Sequence, residues 1–376
     1  MTLFVAQTTA VCLADDWMGQ LDDDAYLSQI SIPGTHDSAT GEGWTGFLGE
    51  MVGPSMGLTQ ELTIAGQLAC GVRAFDLRPC VVDGVLAINH GILQTKATFP
   101  ETLRQLCQFV ADHPTEFVLV VMRHETDGDD NSSQWGSMMN DCLNSDDIRP
   151  RLADYQRDIT VGQLRGKVLV LSRDAYATTP VGGFITGWKH QADYAPAVVK
   201  GSSGTQGTIL VQDYYEVMEN MSAKLNGIEK LLKYSTQNNV YKPYRHLVLC
   251  CNCTSGYTES ASTDGNRDNA AQCNKKVIAY LADETHAGPT GIIFMDFAGT
   301  DTSGSYEVKG LELVNTLIRN NQRYVPVKRS DETGIALPAA RQRAASSRYD
   351  LLGRRLNQQP RRPAVVIEPG RKTLTR

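Results

Sequence analysis

The chain has no long hydrophobic run. Its strongest apolar stretch, Phe117-Val-Leu-Val-Val-Met122, is strand-sized, whereas a membrane-spanning helix needs about 20 consecutive apolar residues. A basic surplus is missing from the main part as well. Residues 328–376 hold 12 Lys and Arg against 4 Asp and Glu, which leaves 24 against 38 for the rest. An acidic body argues against nucleic acid as a partner and against charge-driven adhesion to anionic membranes. Spaced cysteine pairs of the zinc-binding kind are absent: Cys250-Cys251-Asn-Cys253, with the distant Cys273, reads as packing or one disulfide rather than a metal site. Asp127-Gly-Asp-Asp-Asn131 lacks the glycine spacing of a calcium-binding EF-hand loop and reads as a solvated loop.

What is present suits one large core. The 376 residues are 41% hydrophobic and only 21% charged. Strands are expected at Gln29–Ile32, Val72–Cys80, Val85–Asn89, Phe117–His124, Lys167–Arg173, Thr208–Asp213, His246–Asn252 and Ile292–Phe297. Helical spacing appears in Leu103, Leu106 and Val110, and again in Met221, Leu225, Ile228 and Leu232. Strand followed by helix, repeated, predicts an α/β fold with a largely parallel sheet, compatible with a distorted TIM-type (β/α)8 barrel in a single domain. The Val81–Gly84 link is too short for a helical crossover, so the barrel is expected to be irregular there.

The ends differ from this body. Residues 1–16 read as the remnant of a signal peptide, with Cys12-Leu-Ala14 as a cleavage site, or as a frayed terminus. Loss of Cys12 would leave eight cysteines, an even number that suits an oxidising compartment. The body spans 17–325, and 326–376 form a basic linker and tail, whose Arg348–Asn357 and Ala364–Lys372 stretches are candidates for a small hairpin. Its Tyr349-Asp-Leu-Leu-Gly-Arg354 resembles the C-terminal sorting segments of bacterial proteins exported by the type IX route. A disordered basic tail is the plain alternative.

In barrels of this class function sits where strands end. Standing there are His36 and Asp37, Asp76 and Arg78, His90, Glu125, Arg173, Asp213 and Tyr215, and Asp296. Singly each has an ordinary explanation, such as a helix cap at Asp37 or an ion pair between Asp76 and Arg78. Jointly they mark one rim. Asp76 and Arg78 share a strand face about 7 Å apart, and a guanidinium beside a carboxylate suits a phosphate oxygen.

Ser31-Ile-Pro-Gly-Thr-His-Asp-Ser38, Gly71-Val-Arg-Ala-Phe-Asp-Leu-Arg78 and Asn89-His-Gly91, in that order, resemble the catalytic X domain of phosphatidylinositol-specific phospholipase C. The likeness continues through Val120–Arg123, Gly166–Ser172, Val211–Tyr215 and Ile293–Asp296. It implies a distorted TIM barrel in which an inositol hydroxyl attacks its own phosphodiester. By motif position His36 is the general base with Asp296 orienting it, and His90 is the general acid assisted by Asp37. Arg78 is the phosphate-stabilising group and Asp76 its neighbour. One imidazole must be neutral and the other charged, which a pKa near 6.5 permits near neutrality.

The resemblance further implies inositol stacking on Tyr215, with Asp213 and Arg173 on its hydroxyls. Glu125 stands where relatives carry a lysine, with Arg123 two residues back, which leaves the headgroup open. Eukaryotic members hold calcium with a carboxylate where this chain has Arg78, so no metal and no cofactor are expected. The expected partner is phosphatidylinositol or a glycosylated anchor lipid, met transiently at a membrane surface by a monomeric protein, secreted or on the cell surface. Trp44, Phe47, Leu48 and Met51 share a helical face that suits either lipid contact or the core, although Gly41, Gly43, Gly46 and Gly49 weaken a helix there. The alternatives are a metal-dependent glycerophosphodiesterase or sphingomyelinase D-like enzyme, and a non-catalytic inositol-lipid binding module.

Overall fold

Aliphatic runs with both faces buried form the wall of a barrel. A computed structural model describes residues 16–217, 220–240 and 248–326, together with the backbone of four short strands further on. The barrel strands are β1 (Ser31–Thr35), β2 (Ala74–Leu77), β3 (Val118–Met122), β4 (Val168–Ser172), β5 (Gly183–Thr186), β6 (Gln191–Gly201), β7 (Gln206–Asp213), β8 (Leu249–Cys253) and β9 (Gly291–Met295). β3 pairs with both β2 and β4, which closes a nine-stranded ring. All neighbouring pairs are parallel except those of β6, which runs against β5 and β7. The result is a distorted TIM-type barrel, with one strand more than the eight expected.

The extra strands β5 and β6 escape sequence reading because Gln191-Ala-Asp-Tyr-Ala-Pro-Ala carries no apolar alternation. The expected first strand is shifted. β1 begins at Ser31 and runs through Pro33 and Gly34 instead of stopping before them. Pairing with β2 starts only at Gly34↔Ala74, so the missing proline N–H costs no bond in that ladder. The expected strand at Val85–Asn89 is not in the barrel at all. It belongs to a separate antiparallel sheet of Pro79–Val82, Val85–His90 and Leu93–Thr98, which is the irregularity the short 81–84 link demands.

Helices pack on the ring and on the small sheet: α1 (Gly46–Met56), α2 (Phe99–Asp112), α3 (Ser132–Leu143), α4 (Met221–Asn238), α5 (Thr263–Ala282) and α6 (Gly310–Asn320), with α1 and α3 against the small sheet. α2 starts where the Thr98 hydroxyl accepts the Glu101 N–H, and it buries Leu103, Leu106 and Val110. α1 divides the aromatic cluster read from the sequence. Trp44 is buried before the helix begins, whereas Phe47 (83% exposed) and Met51 (59%) face outward. At Gly53 a Cβ would come within 2.4 Å of the Trp44 ring, so only glycine lets α1 lie on it.

At the strand-start end, Arg73 and Glu116 form a fully buried ion pair with Nε 2.7 Å from Oε2. Arg73 also donates to the Leu68 and Val72 carbonyls, and the other Glu116 oxygen accepts the Met18 N–H. The 127–131 stretch is not a freely solvated loop. Asp129 accepts the Val81 N–H at 2.6 Å and Asp130 the Asp83 N–H at 2.5 Å, so the acidic residues close one edge of the small sheet. The cysteines among the described residues are free thiols, those of the 250–253 cluster fully buried, so they pack rather than pair.

No helix among the described residues is long and apolar enough to cross a membrane. Residues 329–376 form a second unit, with antiparallel strands at Arg348–Tyr349, Arg355–Leu356, Ala364–Glu368 and Arg371–Thr375. The N-terminal signal reading and Cys12 lie outside the described residues, as do most of the positions in the sorting motif.

Candidate active site

At the strand-end mouth of the barrel lies a cavity of about 340 Å³. His36, Asp76, Arg78 and His90 form one part of its wall, and Arg123, Glu125, Arg173, Asp213 and Tyr215 another. Asp37 and Asp296 are buried against the two histidines. All the candidate residues therefore meet around one space.

Each is placed by the end of an element. His36 and Asp37 follow β1 on a turn in which Asp37 takes a left-handed backbone (φ 42°), a conformation aspartate tolerates better than most residues. Gln60 holds the turn by donating to the His36 and Met295 carbonyls, while its own carbonyl oxygen accepts the Ala298 N–H. That side chain ties the β1 turn to the β9 turn, which carries Asp296. His90 arrives differently from the expectation. It is the last residue of its strand in the small antiparallel sheet, which folds across the mouth. Asp37 stands at the helix-cap position of Ser38–Glu42 without capping it, because its side chain is turned to the cavity groups.

The polar contacts form one network. His36 Nδ1 is 2.8 Å from Asp296 Oδ1, and Asp296 Oδ2 accepts the Gly256 N–H at 3.2 Å. His90 Nδ1 is 2.5 Å from Asp37 Oδ2, and His36 Nε2 is 3.5 Å from the same oxygen. His36 Nε2 and His90 Nδ1 can thus be no farther apart than those two contacts combined. Arg78 Nε lies 2.7 Å from Asp37 Oδ1 and its Nη2 3.1 Å from Asp76 Oδ2, with Glu125 Oε2 3.7 Å from Nη1. Arg123 reaches the other Glu125 oxygen at 3.6 Å.

Burial alone would lower the His36 pKa, but the Asp296 and Asp37 carboxylates outweigh it and hold the imidazole above its ordinary 6.5. Burial would raise Asp37, yet the Arg78 guanidinium and the two imidazoles keep its carboxyl well below the usual range. Arg78 is held above its ordinary value by Asp37, Asp76 and Glu125 against the burial penalty. Burial pushes Glu125 up, and the pull of Arg78 does not cancel that.

The opposite wall is aromatic. Trp188 Nε1 donates to Asp213 Oδ2 at 2.7 Å, and the Arg173 guanidinium lies 4.4 Å from the centre of the Trp188 ring. His190 packs 4.2 Å from Tyr215. Sequence reading missed Trp188 and His190, which lie in the link between β5 and β6; the only signal is two ring residues close together in an otherwise polar segment. His36, Asp37 and Asp76 bring three potential ligand atoms within 4.8 Å of one another. The Arg78 guanidinium already pairs with both of those carboxylates, so the donor set fits a divalent ion poorly.

No protein-family model matches the chain. It is 23% identical over 316 residues to the 1-phosphatidylinositol phosphodiesterase of Staphylococcus aureus, covering 82% of this chain and 94% of that protein. A structure of the Staphylococcus aureus phosphatidylinositol-specific phospholipase C, from work on modulating its membrane binding, superimposes with a TM-score of 0.65 at 19% identity, covering 81% of this chain and 96% of that one. The Listeria monocytogenes enzyme superimposes with a TM-score of 0.60 at 20% identity, over 82% and 99%. In sequence over most of its length, and in fold, the chain is similar to the bacterial phosphatidylinositol-specific phospholipases C.

Proposed function

We propose that the chain cleaves phosphatidylinositol, or its glycosylated anchor forms, into diacylglycerol and inositol 1,2-cyclic phosphate without a metal ion. The observation that carries this reading is Asp37, one carboxylate shared by His90 and Arg78 beside a separately oriented His36. A binding module needs neither an acid nor a base.

Asp296 facing His36 Nδ1 keeps the proton on that nitrogen and leaves Nε2 to accept one. Nε2 takes the proton of the inositol 2-hydroxyl, whose oxygen forms the new bond to phosphorus. The bond from phosphorus to the glycerol oxygen breaks, and His90 returns a proton to that oxygen. Arg78 offsets the charge on the phosphoryl oxygens, with Asp37 and Asp76 fixing its plane. Tyr215 offers a face to the inositol ring, and Arg173, Asp213, Arg123 and Glu125 surround its hydroxyls.

The exposed face of α1 supports work at a lipid surface, since Met56 lines the cavity while Phe47 and Met51 point to solvent. An extracytoplasmic location, with 326–376 as a sorting tail, belongs to the same reading. Phosphorus NMR on phosphatidylinositol vesicles, with and without chelator, tests it. A cyclic inositol phosphate resonance that grows equally in both samples supports the proposal. Chelator-sensitive turnover with release of a linear phosphomonoester, or saturable binding with no turnover, overturns it.

A further inference from the structure

Lys224, in the first turn of α4, is fully buried. A buried ammonium costs several kcal/mol unless every donor is satisfied. Here its Nζ is bonded to three main-chain carbonyls, those of Tyr214 at 2.7 Å, Cys253 at 2.7 Å and Ser255 at 2.6 Å. Three acceptor-only partners use all three hydrogens of the ammonium and leave none for a carboxylate. Well-packed apolar side chains often replace buried charges without loss of stability, so packing alone does not call for a lysine here.

The three carbonyls are not scattered. Tyr214 and Cys253 stand where β7 and β8 end and their ladders stop supplying partners. Ser255 precedes Gly256, whose N–H is the one bonded to Asp296 Oδ2. Tyr214 precedes Tyr215, whose carbonyl accepts the Tyr257 N–H at 2.9 Å. One ammonium therefore fastens together the segment carrying the Tyr215 face and the segment that anchors the partner of His36.

We propose that Lys224 is a positioning residue for His36, acting through the Ser255 carbonyl, the Gly256 N–H and Asp296 without touching substrate. The proposal rests on the phosphodiesterase reading for its kinetic arm only. Loss of the ammonium frees the 253–257 segment, loosens the Gly256 to Asp296 bond and lets the His36 ring turn.

The test uses Lys224→Met, which keeps length without donors, and Lys224→Gln, which keeps two N–H groups. Near-UV circular dichroism checks that each folds. The first readout is the His36 Nδ1–H proton resonance, which needs no substrate. It should broaden or shift in Lys224→Met and recover in part in Lys224→Gln. The second is a double-mutant cycle on kcat with phosphatidylinositol. Lys224→Met should cost at least tenfold in the wild-type background and less than twofold in Asp296→Asn, because the path is already broken there. An unchanged resonance, or the same kcat cost in both backgrounds, overturns the proposal. If neither variant folds, the ammonium serves the barrel and not the site, and the proposal falls. If the wild-type protein turns over no phosphatidylinositol, the functional reading fails by itself, and the resonance alone decides the role of Lys224.

Discussion

His90 Nδ1 lies 2.5 Å from Asp37 Oδ2, while the other oxygen of that carboxylate receives Arg78. A single side chain thus sets both the candidate general acid and the candidate phosphate clamp. Asp37→Asn keeps the shape but supplies one acceptor where two are needed. It is expected to lower kcat about 10²- to 10⁴-fold with a smaller change in KM, read from initial rates on phosphatidylinositol. An unchanged kcat would show that His90 does not depend on Asp37.

The pH profile follows from the direction of the His36 shift. The base must be neutral to act, so kcat/KM rises with pH through the His36 pKa. Because the carboxylates hold that value above 6.5, the acidic limb should have its midpoint above 6.5. Asp296→Asn removes the largest of those attractions and should move the limb to lower pH.

Stability carries the same groups with opposite signs. Asp37 is depressed, so its contribution is present above the unfolded carboxylate value of about 3.9 and fades as pH falls towards its folded value. His36 is raised, so its contribution is full below 6.5 and fades as pH rises through the folded value. Urea midpoints of the wild-type protein should drop between pH 5 and about pH 3, and Asp37→Asn should flatten that drop.

Phe47 and Met51 should matter only at an interface. Phe47→Ala with Met51→Ala is expected to weaken binding to phosphatidylinositol vesicles by about tenfold or more, since burying one large apolar side chain contributes about 1.5–3 kcal/mol. Turnover of a water-soluble inositol phosphodiester should stay within twofold. Equal losses on both substrates would place α1 in the catalytic fold instead.

Far from the cavity, Glu116→Ala strands the Arg73 guanidinium in a dry site. The expected loss is about 3–5 kcal/mol in chemical denaturation. Replacing both partners, as Arg73→Met with Glu116→Leu, should cost less than the single change, because no charge is left unpaired.

Much of the site was legible because chemistry-bearing residues stood at the ends of apolar runs. His36, Asp76 and Asp213 could be placed by counting to where a strand stops. His90 was found in the right order, but its carrier was misread as a barrel strand, since a six-residue run looks the same in a hairpin as in a barrel wall. Trp188 and His190 were not visible, as the strands flanking them have no periodicity. Lys224 carries no local signal of burial; only the carbonyls of Tyr214, Cys253 and Ser255, at and just past the ends of β7 and β8, explain why it turns inward. The 127–131 acids were read as solvated for the same reason, their backbone partners lying more than forty residues away.

By itself the sequence determined local matters: which stretches are apolar enough to be walls, where a turn presents a histidine beside an aspartate, and that a cation stands at position 78. Tertiary structure alone decided that His36 and His90 line one cavity with Asp296 buried against His36, and that the single Asp37 carboxylate serves both His90 and Arg78. The reason is that side-chain period and turn chemistry act over a few residues. Closure of the ring joins β1 to β9 and folds a hairpin over the mouth, setting distances no local pattern encodes.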